Sequence, residues 1–176
     1  VMAPMVATVD EARDFAERCR SAGLSTVGVM IETPAAALLA AEIFAVVDFV
    51  SIGTNDLTQY TMAADRLLAG VADLNDPWQP AVLRLIAAAG DAGRAAGKPV
   101  GVCGEAAGDP ELAPVLVGLG ATSLSMSPRS LAAVGERLAQ LTLADRRAAA
   151  EAAGAAPTAA RAREAAASVL AVATSA

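Results

Sequence analysis

Histidine is absent from the 176 residues. That excludes Ser-His-Asp and Cys-His catalysis and any His-ligated metal within the chain, leaving chemistry to carboxylates, Arg, Asn or Cys. Cysteine is scarce, with Cys19 and Cys103 only, and no signal-peptide pattern opens the chain. A disulfide framework is thereby excluded and a reducing, cytoplasmic setting is expected. Lysine occurs once, as Lys98, against 12 Arg, a bias that together with the abundant alanine points to a high-GC genome. No basic cluster exceeds Arg146-Arg147 and the formal net charge is -6, so nucleic acid is not expected as a partner. Long hydrophobic runs are missing too: although 55% of residues are apolar, no stretch reaches the roughly 18 consecutive apolar residues of a membrane span. Apolar content this high excludes a disordered acidic tail and suits one globular domain. An initiating Met is also lacking. The opening Val1-Met2-Ala3-Pro4-Met5-Val6 reads as a buried strand, so the chain is expected to be part of a longer protein.

What is present is an alternation of buried strands and helices. The run Val1 to Thr8 precedes an amphipathic pattern from Asp10 to about Gly23, and Thr26 to Ile31 precedes a helix from Ala35 to Phe44 with Pro34 at its first turn. A third strand, Asp48 to Ile52, runs into a polar loop Gly53-Thr54-Asn55-Asp56. A long helix from about Pro80 to Ala96 stops at Gly97, and a fourth strand covers Pro99 to Cys103. After the loop Gly104 to Pro110 come a helix to about Gly118, a fifth strand Ser123 to Met126 and a helix Leu131 to Leu141. Beyond it, Leu143 to Ala153 and Ala159 to Ala173, separated by a break at Gly154 to Pro157, predict a peripheral helical tail. Five buried strands separated by helices mean an α/β fold with a parallel sheet, either a complete doubly wound domain or a piece of an eight-stranded barrel.

The polar residues concentrate at the carboxyl ends of the strands, where ligands collect in both architectures. Glu32 follows the second strand, Asn55 and Asp56 the third, Cys103 and Glu105 the fourth. Two carboxylates with an adjacent amide make an oxygen-rich set suited to Mg²⁺ or Mn²⁺. The competing reading has Glu32 capping its helix and Asp56 opening the next one, and position alone weighs the two equally. Cys103 reads either as a small buried apolar side chain or as a proton donor or nucleophile at the mouth of the site. Arg66 is either a surface residue paired with Asp65 or a guanidinium held for phosphate or carboxylate. The amides of Gly53-Thr54-Asn55-Asp56 can cradle an anion, but the sequence there is far from a P-loop. Met5, Met62 and Met126 are expected to pack.

Four stretches in order then carry a family resemblance: Val29-Met30-Ile31-Glu32-Thr33-Pro34-Ala35-Ala36, Ser51 to Thr61 with Ala64-Asp65-Arg66, Gln79 to Ile86, and Gly101-Val102-Cys103-Gly104-Glu105. They closely resemble the phosphoenolpyruvate-binding domain of the Enzyme I family, the phosphotransferases of the bacterial sugar phosphotransferase system. The resemblance implies the carboxyl-terminal part of a (β/α)₈ TIM barrel, strands four to eight in residues 1–142, with helices 143–176 packed on it. It implies Mg²⁺ carboxylates at Glu32 and Asp56, phosphate ligands at Asn55 and Arg66, and a catalytic thiol at Cys103. Phosphoenolpyruvate would lose its phosphoryl group to a His on an amino-terminal domain, which passes it to the carrier HPr, while Cys103 exchanges a proton with the enolate carbon to give pyruvate. That His and the Arg ligands of the first three strands lie outside this chain, which alone is expected to lack turnover and, with its barrel open, to associate; the family forms homodimers through this domain. Pyruvate phosphate dikinase and phosphoenolpyruvate synthase share the barrel, but Gln59-Tyr60-Thr61 and Glu105-Ala106-Ala107-Gly108 side with Enzyme I. Leu74-Asn75-Asp76-Pro77-Trp78 departs from the family, which commonly has a Tyr there. A rival expectation is a non-catalytic dimerisation and interaction module.

Overall fold

The computed structural model describes residues 1–173. Five strands, β1 (Met2–Val6), β2 (Gly28–Ile31), β3 (Phe49–Gly53), β4 (Val100–Cys103) and β5 (Ser123–Leu124), pair in parallel in the spatial order β1-β2-β3-β4-β5. A doubly wound sheet reverses its strand order at a switch point. Here the order runs one way without reversal, as in the wall of a barrel, and that favours a partial barrel over the doubly wound alternative. β2 to β4 are Val/Ile-rich on the face that packs into the core: Val29, Ile31, Val50, Ile52, Val100 and Val102 share that face and are all at most 1% exposed, whereas Met30, Ser51 and Gly101 on the other face are half-buried.

The helices are α1 (Val9–Ser21), α2 (Pro34–Leu38), α3 (Ala40–Phe44), α4 (Thr54–Met62), α5 (Pro80–Ala96), α6 (Ala113–Gly118), α7 (Pro128–Ala139), α8 (Leu143–Ala155) and α9 (Ala159–Ala173). Several differ from expectation. The helix foreseen over 35–44 is two, split where Leu39 leaves helical geometry at φ -97°, ψ 17°. The expected polar loop after β3 is α4, started by Gly53 and closed at Ala63 in the left-handed region, φ 50°. β5 is shorter than foreseen. α7 begins earlier, with Pro128 at its first turn. α8 runs through Gly154 and ends only before Pro157, which holds Ala156 extended at φ -68°, ψ 153°. Gly97 stops α5 as expected, at φ 64°. The tail helices share the main core, through Ala149, Ala150, Ala153, Ala162, Ala166 and Leu170; the last three residues of the expected tail lie outside the described ones.

The amino ends of the strands carry the polar ties that hold the fold. Lys98 donates from Nζ to the Phe44 and Val47 carbonyls, 2.6 and 2.7 Å, closing the carboxyl end of α3. Asp48 accepts from the Val27 amide at 2.8 Å and pairs with Arg20 at 3.2 Å. The Val27 N–H, with the Arg20 guanidinium beside it, holds the Asp48 carboxyl below its ordinary range despite partial burial. A depressed carboxylate pKa in the folded state stabilises at pH above the ordinary value, and that stability is lost as pH falls through the folded value. Asp48→Asn is therefore expected to lower the urea midpoint at pH 7, and the gap to the parent chain to close below about pH 4, the ordinary carboxylate range. A gap unchanged between pH 7 and pH 3 would show that the charge is not what Asp48 contributes.

Candidate active site

The parallel register sets the site. Ile31 lies opposite Ile52, and Gly53 opposite Cys103, so the residues just past β2, at the end of β3 and at the end of β4 form one row, with about 4.8 Å between strands. Glu32 begins that row. Capping of α2 falls to Thr33, whose hydroxyl accepts the Ala36 amide at 3.2 Å. The capping alternative for Glu32 is thus excluded, and its carboxylate is left for other use. Glu32 is only 6% exposed. Its Oε2 accepts the Met5 N–H at 2.9 Å, and its Oε1 lies against Gly53, where a Cβ would come within 2.5 Å of it. Among the described residues Oε1 accepts no hydrogen bond and no Arg or Lys pairs with this carboxylate. Buried carboxylates normally pair with a cation or coordinate a metal.

Met5 presents its amide by taking a left-handed conformation, φ 56°, within the irregular stretch where the β1–β2 register shifts between Ala3 and Val6. For a side chain of this size that geometry costs of order 1–3 kcal/mol. Expected to pack, Met5 is instead 42% exposed; Met62 and Met126 are half-buried. The contact between Met5 and Glu32 joins backbone to side chain across 27 positions, and no sequence pattern announces it.

The next part of the site hangs on α4. Thr54 donates from its hydroxyl to the Cys103 carbonyl, 2.9 Å, and Asn55 Oδ1 accepts the Glu105 amide at 3.3 Å. The chain passes between them at Gly104, φ 94°, where a Cβ would overlap the Thr54 hydroxyl. Asp56 sits in the first turn of α4, as its bland reading foresaw, yet it also meets Arg66, with Oδ1 3.4 Å from the guanidinium. Arg66 therefore pairs with Asp56 rather than Asp65, whose Oδ1 accepts the Leu67 amide. The Cys103 thiol is half-buried, donates to the Ile52 carbonyl at 3.5 Å and accepts from the Ser51 hydroxyl at 3.7 Å. It is neither sealed in the core nor free. Ser51 was not singled out in the sequence, since a strand serine carries no signal of its own.

Two clefts open here, both bordered by Asn55 and Glu105. One of about 310 Å³ adds Arg66, Trp78 and Arg163; the other, of about 560 Å³, adds Ser125, Ser127 and Ser130. A further cavity of about 490 Å³ lies at the opposite end of β4 and β5, lined by Arg94, Lys98 and Arg147, and contains none of the predicted site residues. Among the described residues no group of three or more His, Cys, Asp or Glu is clustered for a metal. A cation held by Glu32 and Asp56 would therefore draw its other ligands from substrate oxygens and water, the usual habit of Mg²⁺.

Residues 1–143 match the family described as PEP-utilising enzyme, PEP-binding domain. The chain belongs to this family. Among curated relatives of the chain, the phosphoenolpyruvate-protein phosphotransferase of Streptomyces coelicolor is 56% identical over 171 residues, 97% of this chain and 31% of that protein. Proteins of the same name from a Bacillus species and from Haloferax volcanii are each 46% identical, over 153 and 158 residues, or 80% and 84% of this chain and 26% and 28% of theirs. The chain thus spans under a third of the length of these relatives. Among its described residues no helix is long and apolar enough to cross a membrane.

Proposed function

We propose that this PEP-utilising chain is the phosphoenolpyruvate-binding, Mg²⁺-dependent part of a phosphoenolpyruvate-protein phosphotransferase. In this reading residues 1–142 form barrel strands four to eight, helices from residue 143 onward pack on them, and the whole is a cytoplasmic homodimer that phosphorylates HPr through a separate His-bearing domain. The observation that carries it is the buried Glu32 carboxylate at the carboxyl end of a parallel strand, one oxygen tied to an amide and, among the described residues, no Arg or Lys paired with it. The donor set suits Mg²⁺, with oxygen ligands and no imidazole. Mg²⁺ bound by Glu32 and Asp56 would supply positive charge against the phosphate and enol oxygens of the substrate.

The remaining roles follow from the side chains. The Asn55 amide and the Arg66 guanidinium bind phosphate oxygens and orient the phosphorus for in-line attack. As the bond from phosphorus to the bridging enol oxygen breaks and a bond to the accepting His nitrogen forms, the electron pair remains on pyruvate enolate. Cys103 then gives its proton to the methylene carbon, forming a C–H bond and leaving a thiolate. Donation of the thiol to the Ile52 carbonyl and of the Ser51 hydroxyl to its sulfur hold Sγ beside the row's end.

The test grafts this segment into the Streptomyces coelicolor relative in place of its counterpart. Radiolabelled phosphoenolpyruvate should label the chimera, and pyruvate should appear only with Mg²⁺ or Mn²⁺ present. A folded chimera that neither labels nor releases pyruvate would overturn the reading.

A further inference from the structure

The guanidinium of Arg163, near the end of the chain, stands at the cleft that Asn55 and Arg66 line. It lies 5.2 Å from the centroid of the Trp78 ring, 3.4 Å from Asp76 Oδ2 and 4.0 Å from Glu111. The loop it touches is poorly satisfied by its own hydrogen bonds: Trp78 is 1% exposed, and its Nε1 and the Oδ1 of Asn75 are buried without partners among the described residues. Its ties are few. Asp76 Oδ1 accepts the Trp78 amide at 2.9 Å, and Asn75 Nδ2 donates to the Ala64 carbonyl at 2.9 Å. Ala64 follows the left-handed Ala63 and precedes Arg66 by two residues, and Arg66 pairs with Asp56.

We infer that Arg163 is a positioning residue for Arg66: by clamping Asp76 and Trp78 it fixes Asn75, and through the Ala64 carbonyl it fixes the turn that aims the Arg66 guanidinium at Asp56. An exposed ion pair and a cation-π contact each contribute at most about 1 kcal/mol to stability, so the contact matters for the place of the loop more than for the survival of the fold. That a residue of the last helix acts on the site through the loop bearing the chain's only tryptophan is independent of what the site transfers. Its consequence for substrate rests on the phosphotransferase reading.

Two measurements separate the inference from that reading. In the 176-residue chain, the Nε–Hε resonance of Arg66, assigned with Arg66→Lys, should shift in Arg163→Ala and stay in Arg161→Ala, whose guanidinium pairs with Glu164 on the same helix. Trp78 emission should move in the same variant, with the urea midpoint little changed, and Arg163→Lys should restore part of both signals. An Arg66 resonance that is the same in Arg163→Ala and the parent would overturn the inference. In the chimera, Arg163→Ala should raise KM for phosphoenolpyruvate about tenfold with kcat much less affected, as loss of an outer-shell support does. A chimera inactive with Arg163 in place defeats the phosphotransferase reading while the resonance still decides the positioning. An active chimera indifferent to Arg163→Ala overturns the inference.

Discussion

Alanine at Glu32, or at Asp56, is expected to lower Mg²⁺-dependent pyruvate formation by the chimera about a thousandfold, equivalent to roughly 4 kcal/mol of transition-state stabilisation. The reason lies in the small number of protein ligands: with two carboxylates in the set, removing either leaves half of the anionic charge that would hold the ion. The two variants should differ in their side effects. Glu32→Ala also removes Oε2 as an acceptor of the Met5 amide, adding about 1 kcal/mol of destabilisation. Asp56→Ala releases Arg66 instead. Mn²⁺ binding followed by electron paramagnetic resonance reads the same loss without any turnover. Retention of parent-level Mn²⁺ affinity and activity by both variants would remove the metal assignment.

Cys103→Ser should leave phosphoenolpyruvate binding nearly intact and cut pyruvate formation by about 10²–10⁴-fold, the span attributed to a well-placed general acid. Serine fits the space and can still donate to the Ile52 carbonyl, so geometry is preserved. A hydroxyl gives up its proton to carbon far less readily than a thiol, because thiols ionise near pH 8.5, roughly. Single-turnover assays that follow substrate binding and pyruvate release separately distinguish the outcomes. Equal damage to both would mean that Cys103 shapes the pocket and donates no proton.

Much of this site was legible in the chain. The strand face that packs into the core must be apolar and no acid falls within β2 or β3, so the first acids after Ile31 and Ile52 mark where each strand leaves the sheet. Gly97 and Pro34 announced a helix stop and a helix start through backbone constraints that hold whatever surrounds them. The segment after Gly53 misled because Thr54, Asn55 and Asp56 are turn formers, whereas their tertiary ties to Cys103 and Glu105 favour a helix. The left-handed Met5, the hydroxyl of Ser51 on the thiol and the reach of Arg163 to Asp76 across 87 positions are products of packing. No local pattern encodes them, and they are the features that hold the legible residues in place.

The consecutive strand order has a bearing on how the molecule comes into being. Each strand pairs with the one synthesised just before it, so a nascent chain can add one βα unit at a time to an existing edge, and no strand must be inserted between two already joined. Loop-closure entropy rises only with the logarithm of the connection length, so even the long crossover carrying α4 and α5 adds little penalty. The site then matures in a fixed sequence: the carboxylates of Glu32 and Asp56 are in place once β3 has docked, the thiol arrives with β4, and the guanidinium of Arg163 comes last of all.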